Sequence, residues 1–252
     1  MKGLYAAASA MLANLTRQNQ IAHNVANMDT PGFKQVLSSL TDYLHAPVHQ
    51  PHPEASASGG TDLVGSVGLG VQNRPESIDF SGGSLRYSGE SLDLAIQGPG
   101  FFRVETPEGE RYTRDGRFNL ALEGNLVTVD GFFVLDDNGQ RIRLEGGSAP
   151  TVTGEGVLLQ DGEEVARLGI AVFADPAAAL TRSISNTFAA QGQPDGEEQG
   201  VVLQGYLESA NVNAAQMMTQ MVQVARSYEA AQQMVQTQDE LNARAISRLG
   251  SW

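Results

Sequence analysis

The sequence predicts an α+β protein, in which long N- and C-terminal helices pair as a coiled-coil-like stalk and a β-rich domain lies between them. Apolar residues recur at helical spacing near both ends of the 252-residue chain. In the middle, Asp-Gly and Asn-Gly pairs separate short apolar runs. The chain therefore divides into an N-terminal helix region at 1–40, a flexible Pro/Gly/Ser linker at 41–70, a β-rich domain at 71–205 and a C-terminal helix region at 206–252.

The first helix is predicted over 3–27, a stretch rich in alanine and free of proline. Leu4, Met11, Gln18 and Val25 are spaced by seven, and Ala8, Leu15 and Ala22 interleave with them at intervals of four and three, which forms a heptad seam. The helix is expected to end near Thr30, because Pro31 disfavours helical geometry in the residue before it. Gly32 readily adopts the positive φ of a type II turn.

The linker at 45–70 is rich in Pro, Ser, Gly and Ala, a composition typical of loose or extended chain. It contains His45, His49 and His52, whose spacing could form a metal-binding face on a helix. Prolines at 47, 51 and 53 disfavour that helix. The histidines are therefore interpreted as solvated, and no metal or other cofactor is expected.

Short apolar runs between turn signals predict the β-rich domain. The predicted strands are Leu92–Ile96, Phe101–Val104, Arg111–Thr113, Asn125–Val129, Phe132–Leu135, Arg141–Leu144, Val157–Gln160 and Val165–Phe173. The predicted hairpin turns are Asp115-Gly116, Asp130-Gly131, Asn138-Gly139 and Asp161-Gly162, because Gly, Asn and Asp accept positive φ angles. Asp175–Ala179 is predicted to open a short helical turn, with Pro176 at its first position.

The last helix is predicted over 214–249, where no Pro or Gly occurs before Gly250. Its heptad seam is formed by Met217, Val224, Ala231, Gln238 and Ala245, interleaved with Met221, Tyr228, Val235, Asn242 and Leu249. Asn213 and Gln216 have the spacing of a capping box at its start.

The whole chain carries a net charge of −13 at pH 7, and its acidic residues are concentrated in the middle. Residues 41–200 hold 24 acidic and 10 basic side chains, whereas the two ends together hold 5 acidic and 6 basic ones. This pattern predicts a solvated central body and nearly neutral ends that face protein. Binding to nucleic acid is disfavoured, and no apolar stretch is long enough to insert into a membrane. Cysteine is absent, and no cleaved signal peptide is expected at the N-terminus.

Both terminal helices also carry apolar residues away from their seams. These residues are Tyr5, Leu12, Ile21 and Ala26 in the first helix and Met218, Val222, Ala225 and Met234 in the last. A two-helix hairpin buries one stripe of each helix and leaves the second uncovered. The sequence therefore favours a bundle contributed by several subunits, and head-to-tail contacts of that kind produce a filament or tube.

The sequence offers no strong enzymatic motif. It has neither a Walker A sequence nor a G-x-S-x-G elbow. Adjacent carboxylates occur at Asp136-Asp137, Glu163-Glu164 and Glu197-Glu198, but each pair adjoins a turn, so solvated charge is favoured over catalysis. Two alternatives stay open: a hydrolase that cleaves cell wall with two carboxylates, and a secreted β-rich binding module with a coiled-coil oligomeriser.

Three strings resemble the signatures of flagellar rod and hook proteins. NVANMDTPGFK, at 24–34, is similar to their N-terminal signature, and GYLESANVN at 205–213, followed by RSYE at 226–229, is similar to their C-terminal one. GPGFF at 98–102, YTRDG at 112–116 and GNLV at 124–127 resemble their β-rich domain. The strings come in the family's order, and the length suits the rod members, the FlgF/FlgG type.

This resemblance implies a structural, non-enzymatic subunit of the bacterial flagellar basal-body rod. Such a subunit is exported by the flagellar type III apparatus without a cleaved signal peptide. It then polymerises with itself and with other axial proteins, the rod and hook subunits, into a tube that crosses the periplasm, transmits torque and conducts exported subunits. In that family the paired terminal helices line the inner tube and the β domain forms the outer shell.

Two sets of residues are predicted to serve assembly. Subunit contacts are expected at Leu4, Met11, Leu15, Ala22, Met221, Val224, Tyr228, Val235 and Leu249. The junctions between helices and body are expected at Asn24, Asn27, Thr30, Gly32, Phe33, Asn211 and Asn213.

Overall fold

The computed structural model describes residues 2–42, 45–51, 61–68, 70–73, 77–144, 148–195 and 199–249. Its helices are α1 (Lys2–Ala26), α2 (Pro176–Ala179) and α3 (Ala214–Leu249). The strands before residue 100 are β1 (Val36–Leu37), β2 (Leu40–Asp42), β3 (His45–Pro51), β4 (Thr61–Gly68), β5 (Val71–Asn73), β6 (Ser77–Ile78), β7 (Leu85–Tyr87) and β8 (Leu94–Gln97). Those after it are β9 (Phe101–Thr106), β10 (Gly109–Thr113), β11 (Phe118–Leu120), β12 (Leu126–Thr128), β13 (Phe133–Val134), β14 (Thr151–Val152), β15 (Val157–Gln160), β16 (Glu163–Arg167), β17 (Ile170–Ala171), β18 (Leu180–Arg182), β19 (Phe188–Ala190), β20 (Val201–Gln204) and β21 (Tyr206–Glu208).

The chain folds into two compact units, and each draws on separate parts of the sequence. The first unit contains Met1–Val25, Val36–Ser77 and Ala214–Trp252, and therefore holds α3 and nearly all of α1. The second contains Ala26–Gln35 and Ile78–Asn213. The α+β class with terminal helices and a central β-rich domain is confirmed. No helix in the described part of the chain has the length and apolar character needed to span a membrane.

In the first unit, α3 buries the face that its heptads predict. Met217, Val224 and Ala231 are buried, and the interleaved Met221, Tyr228 and Val235 are half-buried. From Asp239 to Arg248 every side chain is exposed. The seam of α3 is therefore covered over its first 25 residues and uncovered beyond them.

The face that α1 buries differs from the predicted seam. The buried side chains are Ala7, Ala13, Gln20, Ile21 and Asn24, whereas the predicted Met11 is half-buried and Leu15 and Ala22 are exposed. Alanine-rich helices present small residues on several faces, so heptad spacing alone does not select the buried one. The seam through Leu15 and Ala22 is therefore uncovered in the single chain, and its role in subunit contacts stays a prediction.

The segment with linker composition contains paired strands. β3 and β4 run antiparallel, from His45 opposite Gly68 to Pro51 opposite Thr61, and β2 pairs with β5. Both prolines of β3 are accommodated in this short two-stranded ribbon, where a strand has a free edge that needs no N–H donor. The histidines His45 and His49 belong to β3, but their side chains and all of His52 lie outside the described residues.

The second unit is organised around strand β9. The main sheet has the order β11-β12-β13-β9-β10-β19-β18, and β17 also pairs with β9. All these pairs are antiparallel, with Tyr112 of β10 opposite Arg103 of β9 and Val134 of β13 opposite Val104. Smaller sheets join β14-β15-β16, β20-β8 and β21-β7.

Alternate residues of β9 point into two separate cores. Phe102 is fully buried in the first core, with Leu94, Leu126 and Leu158. Phe101 is buried in the second core, where Phe173 and Phe188 pack against it edge to face. The diphenylalanine pair therefore stabilises both cores from one strand.

The predicted turns are confirmed at three of four positions. Gly131 and Gly139 have positive φ angles of 85° and 77°, and Asp161 and Gly162 join β15 to β16 with φ angles of 54° and 86°. The hairpin predicted at Asp115-Gly116 is wrong, because β10 pairs with β9 and β19 rather than with β11. Gly116 instead allows close packing, since a Cβ there would lie 1.6 Å from the Leu94 carbonyl oxygen.

Two predicted strands are also corrected. Val165–Phe173 is divided into β16 and β17 at Gly169, where a Cβ would lie 2.5 Å from the Asp136 carbonyl oxygen. Residues 141–144 form isolated bridges rather than a strand. The short helix is confirmed, and Asp175 caps it by accepting hydrogen bonds from the backbone N–H groups of Ala177 and Ala178.

Tyr112 is expected to make stability depend on pH in the alkaline range. Burial raises its pKa to about 12, and the nearby Glu110 carboxylate, which accepts its hydroxyl hydrogen bond, adds to the effect. Because the folded pKa exceeds the unfolded value of 10.0, the stabilisation is complete below pH 10 and is lost as pH rises towards 12. In the Tyr112→Phe variant, the unfolding free energy should fall less between pH 10 and pH 12. The change in tyrosinate absorbance near pH 12 should also disappear. An unchanged titration would contradict the assignment.

Candidate functional site

The candidate site is the junction at which the segment after α1 meets the segment before α3. The two segments, Asn27–Gln35 and Tyr206–Asn211, lie in the second unit. The backbone N–H of Gly32 donates to the Glu208 carbonyl at 2.7 Å, and that of Asn211 donates to the Phe33 carbonyl. Residues about 175 positions apart in sequence are therefore joined directly.

Gly32 is required by its surroundings as well as by its conformation. Its φ is +67°, a value that L residues rarely adopt, and a Cβ would lie 2.2 Å from the Arg114 carbonyl carbon. The turn before it is held by Thr30, whose N–H donates to the Asn27 carbonyl and whose hydroxyl contacts the Asn27 side chain. No larger residue would therefore fit at Gly32, and its predicted role at the junction stays a prediction.

Two asparagines bond through their side chains to backbone groups of neighbouring segments. The Asn211 side chain accepts from the Gln35 N–H at 2.7 Å and donates to the Asp79 carbonyl at 2.8 Å. In the first unit, the buried Asn24 side chain donates to the Val36 carbonyl and accepts from the Val36 N–H. An amide side chain suits both positions because it supplies a donor and an acceptor together.

A buried ionic cluster of Lys34, Arg114 and Glu208 lies at the centre of the junction. The Lys34 ammonium and the Arg114 guanidinium donate to different carboxylate oxygens of Glu208, at 2.7 and 3.1 Å. The side chains of Lys34 and Glu208 are 1% and 3% exposed. The Gly83 N–H also donates to Glu208, and Lys34 donates to the Ser81 carbonyl. One carboxylate therefore joins four distant parts of the second unit.

Burial dominates the electrostatics of this cluster. It lowers the pKa of Lys34, and the attraction of Glu208 only partly opposes that effect. Burial likewise lowers the pKa of Arg114, again against the effect of Glu208. Charges removed from water in this way are tolerated only while they stay paired, so the two cations depend on Glu208.

Further contacts support the same region. Arg182 lies over the ring of Phe33, with its guanidinium carbon 4.7 Å from the ring centroid. The Asn186 side chain donates to the Pro31 carbonyl. Phe33, the apolar residue of the predicted junction motif, is buried.

Sequence reasoning missed the ionic cluster. Lys34 and Arg114 lie in the strings NVANMDTPGFK and YTRDG, but neither string indicates a partner for them. A signal was present, because the lysine follows the apolar Phe33 and precedes the run Val36-Leu37. A charge within an apolar run indicates a buried partner.

The predicted subunit-contact residues fall into two groups. Leu15 and Ala22 of α1 are exposed, whereas Val224 of α3 is buried and Met221, Tyr228 and Val235 are half-buried. The side chains of Leu4 and Leu249 lie outside the described residues. Asn213 directly precedes α3 and is exposed, and its capping-box role stays a prediction.

Two of the three carboxylate pairs lie within the described residues, and each lies beside a turn. Asp136 accepts hydrogen bonds from the N–H groups of Asn138 and Gln140, and Asp137 forms an ion pair with Arg167. Glu163 and Glu164 are exposed on β16, and Glu197-Glu198 lies outside the described residues. Among the residues that the structure describes, no group of three or more His, Asp and Glu side chains could hold a metal ion.

Three family models match successive parts of the chain. Residues 4–34 match the model described as flagella basal body rod protein. Residues 95–186 match the flagellar hook protein FlgE/F/G D1 domain, and residues 203–248 match the flagellar basal body rod FlgEFG protein C-terminal model. Each model contributes one residue of the ionic cluster: Lys34, Arg114 and Glu208 respectively.

Known proteins align with the chain over nearly their whole length. The chain is 31% identical to the flagellar basal-body rod protein FlgG of Agrobacterium fabrum, with 96% of this chain and 97% of the relative aligned. It is 33% identical to the rod protein FlgF of Caulobacter vibrioides, with 98% and 97% aligned. It is also 33% identical to FlgF of Rhizobium meliloti, with 98% of each aligned.

Proposed function

This chain belongs to the family of flagellar basal-body rod proteins and is a structural subunit of that rod; on this premise we propose that its terminal helices polymerise into a periplasm-spanning tube. The tube transmits motor torque and conducts exported subunits. Its partners are further copies of the chain and other axial proteins of the rod and hook, and the flagellar type III apparatus exports it without a cleaved signal peptide. No chemical step is needed for these roles, so the chain is not an enzyme.

Pairing of α1 with α3 is supported by the burial of both helices. Met217, Val224 and Ala231 are buried at intervals of seven on α3, and Ala13 and Gln20 are buried at the same interval on α1. Both helices belong to the first unit. A seven-residue interval is the spacing at which two helices stay in contact along their length, so the two stripes form the coiled-coil-like stalk.

Subunit contacts are supported by a second stripe on α1, here called the free stripe, which consists of Tyr5, Ala8, Leu12, Leu15, Ala22 and Ala26. Intervals of three, four and seven residues keep these positions on one side of the helix, and all of them are exposed. Tyr5 and Leu12 are 68% and 66% exposed. On α3, Met218, Val222 and Met234 are also exposed. A single chain leaves this apolar surface in water, and a neighbouring copy covers it.

The junction supports the mechanical role of the second unit. Lys34 lies eight residues after the end of α1, and Glu208 lies six residues before the start of α3. A load entering the second unit along either segment therefore reaches the same buried ionic cluster. Because the cluster binds the segment after α1 and the segment before α3 to the rest of the second unit, the two segments move together.

The free stripe on α1 is the observation that carries the proposal, and electron microscopy of the concentrated full-length chain tests it. Tubes are expected, and a variant without residues 214–249 should form none. Closed rings would favour the binding-module alternative. Tubes formed equally well by the truncated chain would contradict polymerisation through the terminal helices. Cleavage of cell-wall sugar by the purified protein would favour the hydrolase alternative.

A further inference from the structure

The second unit contains a cavity of about 490 Å³ beside the ionic cluster. Its walls include the rings of Phe80, Phe101 and Phe173, which pack edge to face, and Gly82 lies among its lining residues. Arg114 and Glu208 are the charged residues that line it. An apolar cavity with a few convergent polar groups is the usual form of a ligand site.

Arg114 has donors that the described residues leave unused. A guanidinium has five N–H groups. Those of Arg114 bond to the Ile96 carbonyl, the Gly98 carbonyl and the Glu208 carboxylate. Its Nε is buried, and within the described part of the chain it has no hydrogen-bond acceptor. Arg114 is 8% exposed and is among the residues that line the cavity, which is the route by which a ligand would reach its remaining donors.

The charged groups around the cavity nearly balance, because the cations Lys34 and Arg114 face the carboxylates of Glu208 and Asp79. Glu208 is shared between Lys34 and Arg114, so two buried cations bond to one carboxylate. Asp79, which also acts on Lys34, accepts a hydrogen bond from the Ser81 N–H. The guanidinium carbon of Arg114 lies 5.1 Å from the Phe101 ring centroid, which places the cation at the aromatic wall.

We propose that this cavity binds a carboxylate carried on an apolar body. The carboxylate accepts from Arg114, which prefers planar oxygen pairs, and the apolar body packs against the phenyl rings. Either a free organic acid or an acidic side chain beside an apolar residue of a second copy has this chemistry. The proposal concerns the second unit alone and does not depend on polymerisation.

Titration of the full-length chain with phenylacetate tests the site, with phenylacetamide as the matched neutral probe. The Arg114 Nε–H resonance and the amide resonances of Gly98 and Gly100 report binding by NMR. We expect saturable binding of phenylacetate with a Kd on the order of a few millimolar, as suits a ligand of this size. Phenylacetamide should bind at least about tenfold more weakly. Equal binding of the two probes, or no saturable shift, would overturn the proposal.

A pair of glycine variants controls for location. A Cβ at Gly82 or at Gly192 meets no atom within 4 Å, so both sites tolerate a side chain, but only Gly82 is among the lining residues of this cavity. Gly82→Leu should abolish phenylacetate binding with unchanged unfolding free energy, and Gly192→Leu should bind normally. Undiminished binding by Gly82→Leu would overturn the site.

Assembly of the same variants then identifies the source of the carboxylate. If Gly82→Leu fails to polymerise while Gly192→Leu polymerises normally, an acidic side chain of a second copy is the natural ligand. If both variants polymerise normally, a free organic acid is the natural ligand. Assembly is compared only after phenylacetate binding has been established. If the unmodified chain does not polymerise, the phenylacetate titration still tests the cavity.

Discussion

Replacing Glu208 with glutamine is expected to destabilise the second unit by about 3–5 kcal/mol, the usual cost of removing one partner from a buried ionic cluster. The substitution keeps the size and shape of the side chain, so the loss reflects charge rather than packing. Lys34 and Arg114 would then stay buried with no carboxylate between them. Urea unfolding followed by near-ultraviolet circular dichroism measures the loss through the tyrosines and phenylalanines of the sheet.

Lys34→Met should cost less than Glu208→Gln. Glu208 keeps Arg114 and the Gly83 N–H as donors in that variant, and burial lowers the pKa of Lys34, a desolvation cost that methionine does not carry. The matched control is Glu108→Gln, because the Glu108 carboxylate pairs with Arg111 on the surface and is 53% exposed. Its effect should stay within about 0.5 kcal/mol. Similar effects for Glu208→Gln and Glu108→Gln would show that the buried cluster does not stabilise the junction.

Local patterns predicted the elements that depend on neighbouring residues. The bounds of α3 and its buried seam follow from spacing within one helix, and the Asp130-Gly131 turn follows from the φ angles that two residues accept. The capped start of α2 follows likewise from Asp175 and Pro176. In each case the interactions that decide the structure span fewer than eight residues of sequence.

The ionic cluster could not be predicted in this way because its contacts are not local. Lys34 and Glu208 are 174 residues apart, and Arg114 and Glu208 are 94 apart. Each residue alone is compatible with a solvated position. Only the fold brings the three residues together. Gly32 and Gly116 likewise lie against the backbone of Arg114 and Leu94, and their neighbours in sequence do not predict these contacts.

The buried face of α1 was undetermined for a different reason. Its alanines occur on several sides, so the line through Leu15 and the line through Ile21 both have helical spacing. The structure buries Ile21 and exposes Leu15. What decides between the two lines is the packing of the first unit, which no spacing within α1 encodes.

Because Leu15 is exposed in the single chain, Leu15→Asp is expected to block polymerisation and to leave the monomer folded. Leu15 is 46% exposed, so a charge there stays in water until a neighbouring copy covers the free stripe of α1. Burying an unpaired carboxylate at each subunit contact then costs at least ~3 kcal/mol, which raises the concentration needed for assembly by roughly a hundredfold. Sedimentation measures that concentration, and circular dichroism verifies the fold.

Asn119→Asp is the control for this substitution, because it adds the same charge at an exposed polar position of β11 in the second unit, outside the free stripe. This variant leaves every residue on that side of α1 unchanged, so it should assemble at close to the normal concentration. Met221→Asp differs from both, since Met221 is half-buried on the seam of α3 and its replacement should reduce the helicity of the free monomer. Normal assembly of Leu15→Asp would show that the free stripe faces solvent in the polymer, and polymerisation would then have to depend on the exposed side of α3.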